Sequence, residues 1–387
     1  MAKKNIKSKD YKIGFSNIQK KNGINFWRFF FSGINSVSKE SETFFIEFEL
    51  LNPSLSPDKP FFSDLNKPFS PNDLQAALIG DINSLENKKK EKSSYCVLRI
   101  GKLGQKSKQL CQYFAWNDAS FSFRPFEIKI GNKLINEYQL SGFINVDEKD
   151  SIENPTLYPD YGYSNWNLEY YIQESTVLGY KDDKFRWFPF GKKTIFAGKL
   201  NFNGIDYVID PKGHEGYIER FYGNAFINKW VHINCSEIIS LITGKRITDS
   251  SFCIHGVFGK KLTFLGNLEN ISISLFADKL KHSYDCVFDC TQMPGNENAK
   301  EQLLHWSLSF NDKKWIIDID VFCKVSELIN KIYTNSEDST TGLNILEGGT
   351  GFGEIKFYKQ NKKSIEQIEH AKISKVICEY GNIDSLI

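Results

Sequence analysis

Two short runs carry the residues whose types and spacing could do chemistry: Tyr217-Ile-Glu-Arg-Phe-Tyr222 and Trp230-Val-His-Ile-Asn-Cys235, joined by a loop that holds Gly223 and Asn224. Both runs read as strands. Period-2 alternation puts Tyr217, Glu219 and Phe221 on one face of the first, and Trp230, His232 and Asn234 on one face of the second. Each face sets a titratable group among large aromatic side chains. A carboxyl group there is desolvated, and its proton becomes available for transfer. Glu219 is the first candidate acid and His232 the alternative donor or shuttle. A structural carboxylate and a satisfied core histidine are the competing readings of the same two residues.

The strands that position these groups belong to a chain of 387 residues with 49 basic and 47 acidic side chains, a net charge of +2. Such balance argues against a dedicated nucleic-acid binder, which carries a basic excess or stripe. There are 32 Phe, 17 Tyr and 7 Trp but 2 Met, which fits a β fold with a wide apolar interior. Alternating segments dominate, among them Thr43–Leu50, Ser94–Ile100, Phe196–Phe202, Ile271–Phe276 and Trp315–Phe322. Turn signals such as Asn203-Gly204, Pro294-Gly295 and Asn311-Asp312 separate many of them. The expectation is an all-β sandwich or barrel architecture with few helices. Short helices are expected at Asp73–Leu78 and Ser236–Ile242, an irregular insertion at 53–72 and a charged loop at Glu86–Ser94.

The 8 cysteines form no C-x-x-C pair, no apolar leader follows the basic first residues, and no run nears the roughly 18 apolar residues of a spanning helix. A soluble cytoplasmic protein with reduced thiols is expected. His282, Cys286 and Cys290 lie four apart, but their segment reads as strand, where that spacing spreads the ligands, so no metal is expected. Gly349-Thr-Gly-Phe-Gly353 lacks the context and the ending of a phosphate loop; its glycines are expected at a turn, a bulge or a tight packing point. No cofactor is called for.

The run Tyr217–Ser236 resembles the signature of the tocopherol cyclases, roughly Y-x-E-K-N-W-G-G-x-F-P-x-x-W-x-W-x-Q-C-N. Tyr217, Glu219, Gly223, Phe226, Trp230 and Cys235 fall on matching positions, while Arg220, Phe221, Tyr222 and His232 depart from it. Lys108-Gln-Leu-Cys-Gln-Tyr113, Phe126–Asn132 and Ile345–Gly353 are similar to further family segments in the same order, and Phe26–Phe31 sits where the family opens, with Asn25-Phe26 at its Glu-Gly positions. The resemblance implies two lipocalin-like β domains, residues 1–225 with insertions near 53–94 and residues 226–387. It also implies proton-initiated cyclisation, isomerisation or hydration of an apolar, prenylated substrate, as in the related carotenoid hydratases. Trp27, Trp116, Tyr217, Tyr222, Asn224 and Trp230 become the candidate substrate contacts. The altered signature keeps a second reading open, a non-catalytic binder of lipid or another hydrophobic ligand; a third, a structural or partner-binding protein, predicts filled barrels. The expected partner is a hydrophobic small molecule or lipid, with transient membrane contact and no obligate protein partner, although no amphipathic anchor helix is evident.

Overall fold

The computed structural model describes residues 14, 23–53, 94–212, 216–224, 226, 229–257, 261–278, 285–294, 302–334 and 342–381. The described residues are nearly all β, built as two barrel-like sheet units packed together. The first sheet holds β1 (Ile24–Asn35), β2 (Ser41–Leu51), β3 (Tyr95–Leu103), β4 (Lys108–Phe114), β5 (Ala119–Phe123), β6 (Phe126–Ile130), β7 (Lys133–Asn136), β8 (Gln139–Val146), β9 (Gly162–Ser175), β10 (Tyr180–Lys181), β11 (Phe185–Phe202), β12 (Ile205–Ile209) and β13 (Gly216–Gly223). The second holds β14 (Trp230–Cys235), β15 (Glu237–Ser240), β16 (Ser251–Val257), β17 (Lys261–Leu268), β18 (Ile271–Asp278), β19 (Asp285–Pro294), β20 (Gln302–Asn311), β21 (Trp315–Lys324), β22 (Ile329–Thr334), β23 (Gly342–Gln360) and β24 (Ile365–Gly381). Every strand pairing is antiparallel, which short turns permit. Asn203 and Gly204 both take positive φ, the type I′ geometry of a two-residue hairpin, between β11 and β12.

Three cores form. The first barrel is filled from within by residues such as Trp27, Phe29, Phe31, Phe44 and Phe196. The second is filled by Val231, Ile233, Phe264, Trp306, Ile319 and others. A third core lies between the units and joins Phe26, Phe30, Phe45, Trp187, Tyr217 and Phe221 of the first to Trp230, Cys253, Tyr333 and Ile377 of the second. This explains the run Phe26-Trp-Arg-Phe-Phe-Phe31. A strand covered on one face alternates, whereas β1 is buried on both and reads as almost unbroken apolar sequence. Aromatic bulk that suggested a wide cavity fills three contacts instead.

One expectation about local structure changes and a second is narrowed. Ser236–Ile242 is not helical: Glu237–Ser240 is a strand on β24, and a turn follows it. A short apolar run cannot decide between the two states by period, and pairing with β24 decides it. Gly348–Gly353 lies inside β23, where the register with β24 shifts at Gly348, Gly351 and Gly353, so its glycines serve bulges within a strand. The expected helix at Asp73–Leu78, the side chains of His282, Cys286 and Cys290, and nearly all of the two insertions lie outside the described residues. No helix among the described residues is long and apolar enough to cross a membrane.

Candidate functional site

The third core contains a buried cluster of charges, and strand register assembles it. Arg28 on β1 stands directly opposite Glu47 on β2 and Glu219 on β13, and Glu47 in turn stands opposite Arg99 on β3. In the second unit His232 on β14 stands opposite His255 on β16 and Glu379 on β24, and Glu379 stands opposite Glu347 on β23. Docking of the units brings these two cross-strand rows together. The Arg28 guanidinium meets Glu47 at 3.1 Å, Glu219 at 3.0 Å and Glu379 at 2.7 Å, and also pairs with Glu347. Lys331 bridges the units through Glu47 at 2.6 Å and Glu347 at 2.9 Å. Arg99 holds Glu49 at 2.8 Å, and the Tyr333 hydroxyl donates to Glu47 at 3.1 Å.

Five carboxyl groups, Glu47, Glu49, Glu219, Glu347 and Glu379, thus share three cations, Arg28, Arg99 and Lys331, where water is excluded. Full ionisation would leave an uncompensated negative excess in a medium that solvates it poorly. The cluster meets this by keeping protons. Burial pushes the Glu347 carboxyl up to about 7 against the pull of Arg28 and Lys331. Burial also raises Glu49. At Glu47 burial acts in the same direction, but Lys331, Arg28 and Arg99 outweigh it and hold the group below its ordinary value. Burial lowers His232, aided by Arg28 and opposed by Glu219, and lowers His255 still further, so both imidazoles are held neutral.

Glu219 occupies the edge of this cluster. One of its oxygens accepts from Trp187 Nε1 at 2.6 Å and from the Tyr217 hydroxyl at 3.0 Å, and lies 3.5 Å from His232 Nε2. The His232 ring stacks on Tyr217, with the Trp187 indole at its edge. Trp230 stacks on Phe226 and donates its indole N–H to Glu379. Glu219, His232, Tyr217 and Trp230 are therefore brought together.

Trp27, Trp116, Tyr222 and Asn224 are not. Trp27 points into the first barrel, one residue out of phase with Arg28, and receives the Arg220 guanidinium on its ring. Tyr222 shares that Arg220 face. Trp116 stacks on Phe121 beside the first barrel's core. Asn224 is exposed in the loop after β13, with its amide bonded to the Lys184 carbonyl. Sequence reasoning did not single out Arg28, Glu47, Arg99, Lys331, Glu347 or Glu379. Part of their signal was available: Arg28, Glu47, Arg99 and Glu379 each stand between two apolar residues, as in Phe45-Ile-Glu-Phe48 or Ile377-Cys-Glu-Tyr380.

A cleft of about 30 Å³ opens between the units beside the cluster, lined among others by Phe30, Ser32, Thr43, Tyr217, Asn234 and Lys375. It has room for about one or two water molecules. Tyr217 connects it to Glu219.

No family model matches the chain, and no curated protein matches it in sequence. Among solved structures, it is similar to a Nitrosomonas europaea protein provisionally called AttH, at a TM-score of 0.45 and 8% identity over 96% of this chain and 97% of that one. It is also similar to kievitone hydratase from Nectria haematococca, at a TM-score of 0.44 and 11% identity over 93% and 91% of the two chains. Likeness at this level carries no argument about the chemistry of this chain.

Proposed function

We propose that the protein is a cofactor-independent enzyme that protonates a carbon–carbon double bond of an apolar, prenylated substrate, leading to cyclisation, isomerisation or hydration. One observation carries this reading: a water-excluded carboxyl cluster with more acids than cations, walled by aromatic rings. Alkene protonation needs a donor that is not levelled by solvent and π faces beside the developing cation. Glu219 is the acid at the reacting end, with His232 beside it to return the proton. Tyr217, Trp187 and Trp230 supply the electron-rich walls, and Glu347 holds a proton in reserve across Arg28. The tocopherol cyclase-like resemblance centres on the strand that bears Glu219 and supports the same chemistry.

Native mass spectrometry of protein purified from its own host identifies the ligand class. Turnover of that ligand in D₂O then tests the mechanism. The expected product carries one non-exchangeable deuterium on carbon, and Glu219→Gln binds the ligand with turnover reduced at least about a hundredfold. Product without carbon-bound deuterium, or undiminished turnover in Glu219→Gln, overturns the mechanism, and a ligand that stays unchanged on long incubation overturns the enzyme reading in favour of a hydrophobic-ligand carrier.

A further inference from the structure

Among the described residues six cysteines are buried, and the reaction proposed above uses none of them. Two of the six meet. Cys323 lies on β21 and Cys378 on β24, the strands on either side of β23. Cys378 stands directly opposite Gly348 of β23, and Cys323 follows Phe322, which stands opposite Phe352. Both thiols therefore flank the bulged glycine segment of β23, within the core of the second barrel. Gly348 puts no side chain between them: a Cβ placed there would lie 2.7 Å from Cys323 Sγ and 3.3 Å from Cys378 Sγ. One on Gly351 would also lie 3.3 Å from Cys378 Sγ. The two sulfurs share the space that a side chain would otherwise fill.

Cys323 differs from the other buried thiols in its surroundings. It donates to Thr350 Oγ1 at 3.7 Å, and the half-buried Thr350 donates in turn to Glu327, whose side chain reaches solvent beside Lys324. A proton leaving Cys323 has this path out of the barrel. Burial pushes the thiols of Cys96, Cys111, Cys235 and Cys253 up. At Cys323 the hydrogen bond from Cys378 outweighs burial and, helped by Thr350, holds the thiol below its ordinary value. The thiolate is the attacking form of cysteine, so Cys323 is the nucleophile of the pair and Cys378 its resolving partner.

We propose that Cys323 and Cys378 are a pair oxidised by a small hydroperoxide, closing a disulfide between β21 and β24. The Cys323 thiolate attacks one peroxide oxygen and the O–O bond breaks. Sulfur is oxidised to the sulfenic acid, and the other oxygen leaves as hydroxide or alkoxide, which takes up the proton released through Thr350 and Glu327. The Cys378 sulfur then attacks the sulfenic sulfur, the S–O bond breaks, and the hydroxyl leaves as water with the Cys378 proton. Two thiols and one hydrogen peroxide thus become one disulfide and two waters. Both sulfurs are buried, so the oxidant must be small. The pairing does not rest on the reaction proposed above, and its test involves no turnover.

The full chain is exposed overnight to hydrogen peroxide, its remaining thiols are alkylated in denaturant, and a digest is read by mass spectrometry. The expected product joins the peptides of Cys323 and Cys378, two hydrogens lighter than their sum, and dithiothreitol cleaves it. Cys378→Ala should stop at a sulfenic acid on Cys323, trapped by dimedone. Thr350→Val should slow oxidation at least about tenfold with an unchanged urea midpoint. Recovery of both wild-type thiols alkylated overturns the proposal, as does a disulfide from Cys323 to another cysteine, or a cross-link that forms only in urea-unfolded chain. These wild-type results decide the matter even if a variant fails to fold. An undiminished rate in folded Thr350→Val overturns the relay.

Discussion

Removing Arg28 would leave Glu47, Glu219, Glu347 and Glu379 facing one another across the unit boundary with Lys331 as the nearest remaining cation. A buried charge stripped of its partner costs far more than the pair contributes. Arg28→Met is therefore expected to lower the unfolding free energy by about 3–5 kcal/mol, read from urea denaturation. Part of that loss is repulsion among the carboxyl groups left behind. Adding Glu347→Gln to Arg28→Met should recover some of it, so the double variant should be more stable than the two single losses added together. Strict additivity would mean that Arg28 and Glu347 do not share the cluster.

At the level of strands, docking of the units depends on close backbone approach. A Cβ placed on Gly349 of β23 would lie 2.8 Å from Leu103 Cβ and 3.0 Å from Thr43 Cγ2, both in the first unit. The Thr43 hydroxyl also donates to the Gly349 carbonyl at 3.2 Å. Gly349→Ala should wedge the units apart and cost about 1–3 kcal/mol, seen as a lower thermal midpoint with the far-ultraviolet circular dichroism unchanged. The sequence reading expected tight packing at these glycines without their partners, because Leu103 and Thr43 lie about 250 and 306 residues away in a different sheet. The same limit applies to the site. Alternation was enough to put Tyr217 with Glu219 and Trp230 with His232, since the face of a strand is a local property. Arg28, Glu347 and Glu379 join them through register and docking, which no local period encodes. Trp27 and Tyr222 were taken as aromatic walls from family segments, Trp27 at a matching position and Tyr222 at one that departs from the signature; their place in the alternation, one residue from Arg28 and three from Glu219, puts them on the opposite face.

For the molecule as a whole, the charge cluster links proton binding to the union of its two units, because each contributes carboxyl groups. Glu347 titrates near 7 when folded and near the ordinary 4.5 when unfolded. Between those values the folded state holds a proton that the unfolded chain releases. The stability from this group is complete below about pH 4.5 and is lost as pH rises through 7. The raised Glu49 acts with the same sign. His232 and His255 act with the opposite sign: their folded values lie below the ordinary 6.5, so their contribution is present above it and is lost as pH falls. The wild type should therefore be most stable slightly below neutrality. Glu347→Gln removes one arm of this balance while retaining a side chain able to bond Arg28. In urea midpoints taken from pH 5 to 8, wild-type stability should fall relative to Glu347→Gln as pH rises, most steeply between about 5 and 6.5 and levelling off above about 7. Parallel curves would show that Glu347 keeps no proton in the folded protein, and the negative excess would then have to be met by the other four glutamates.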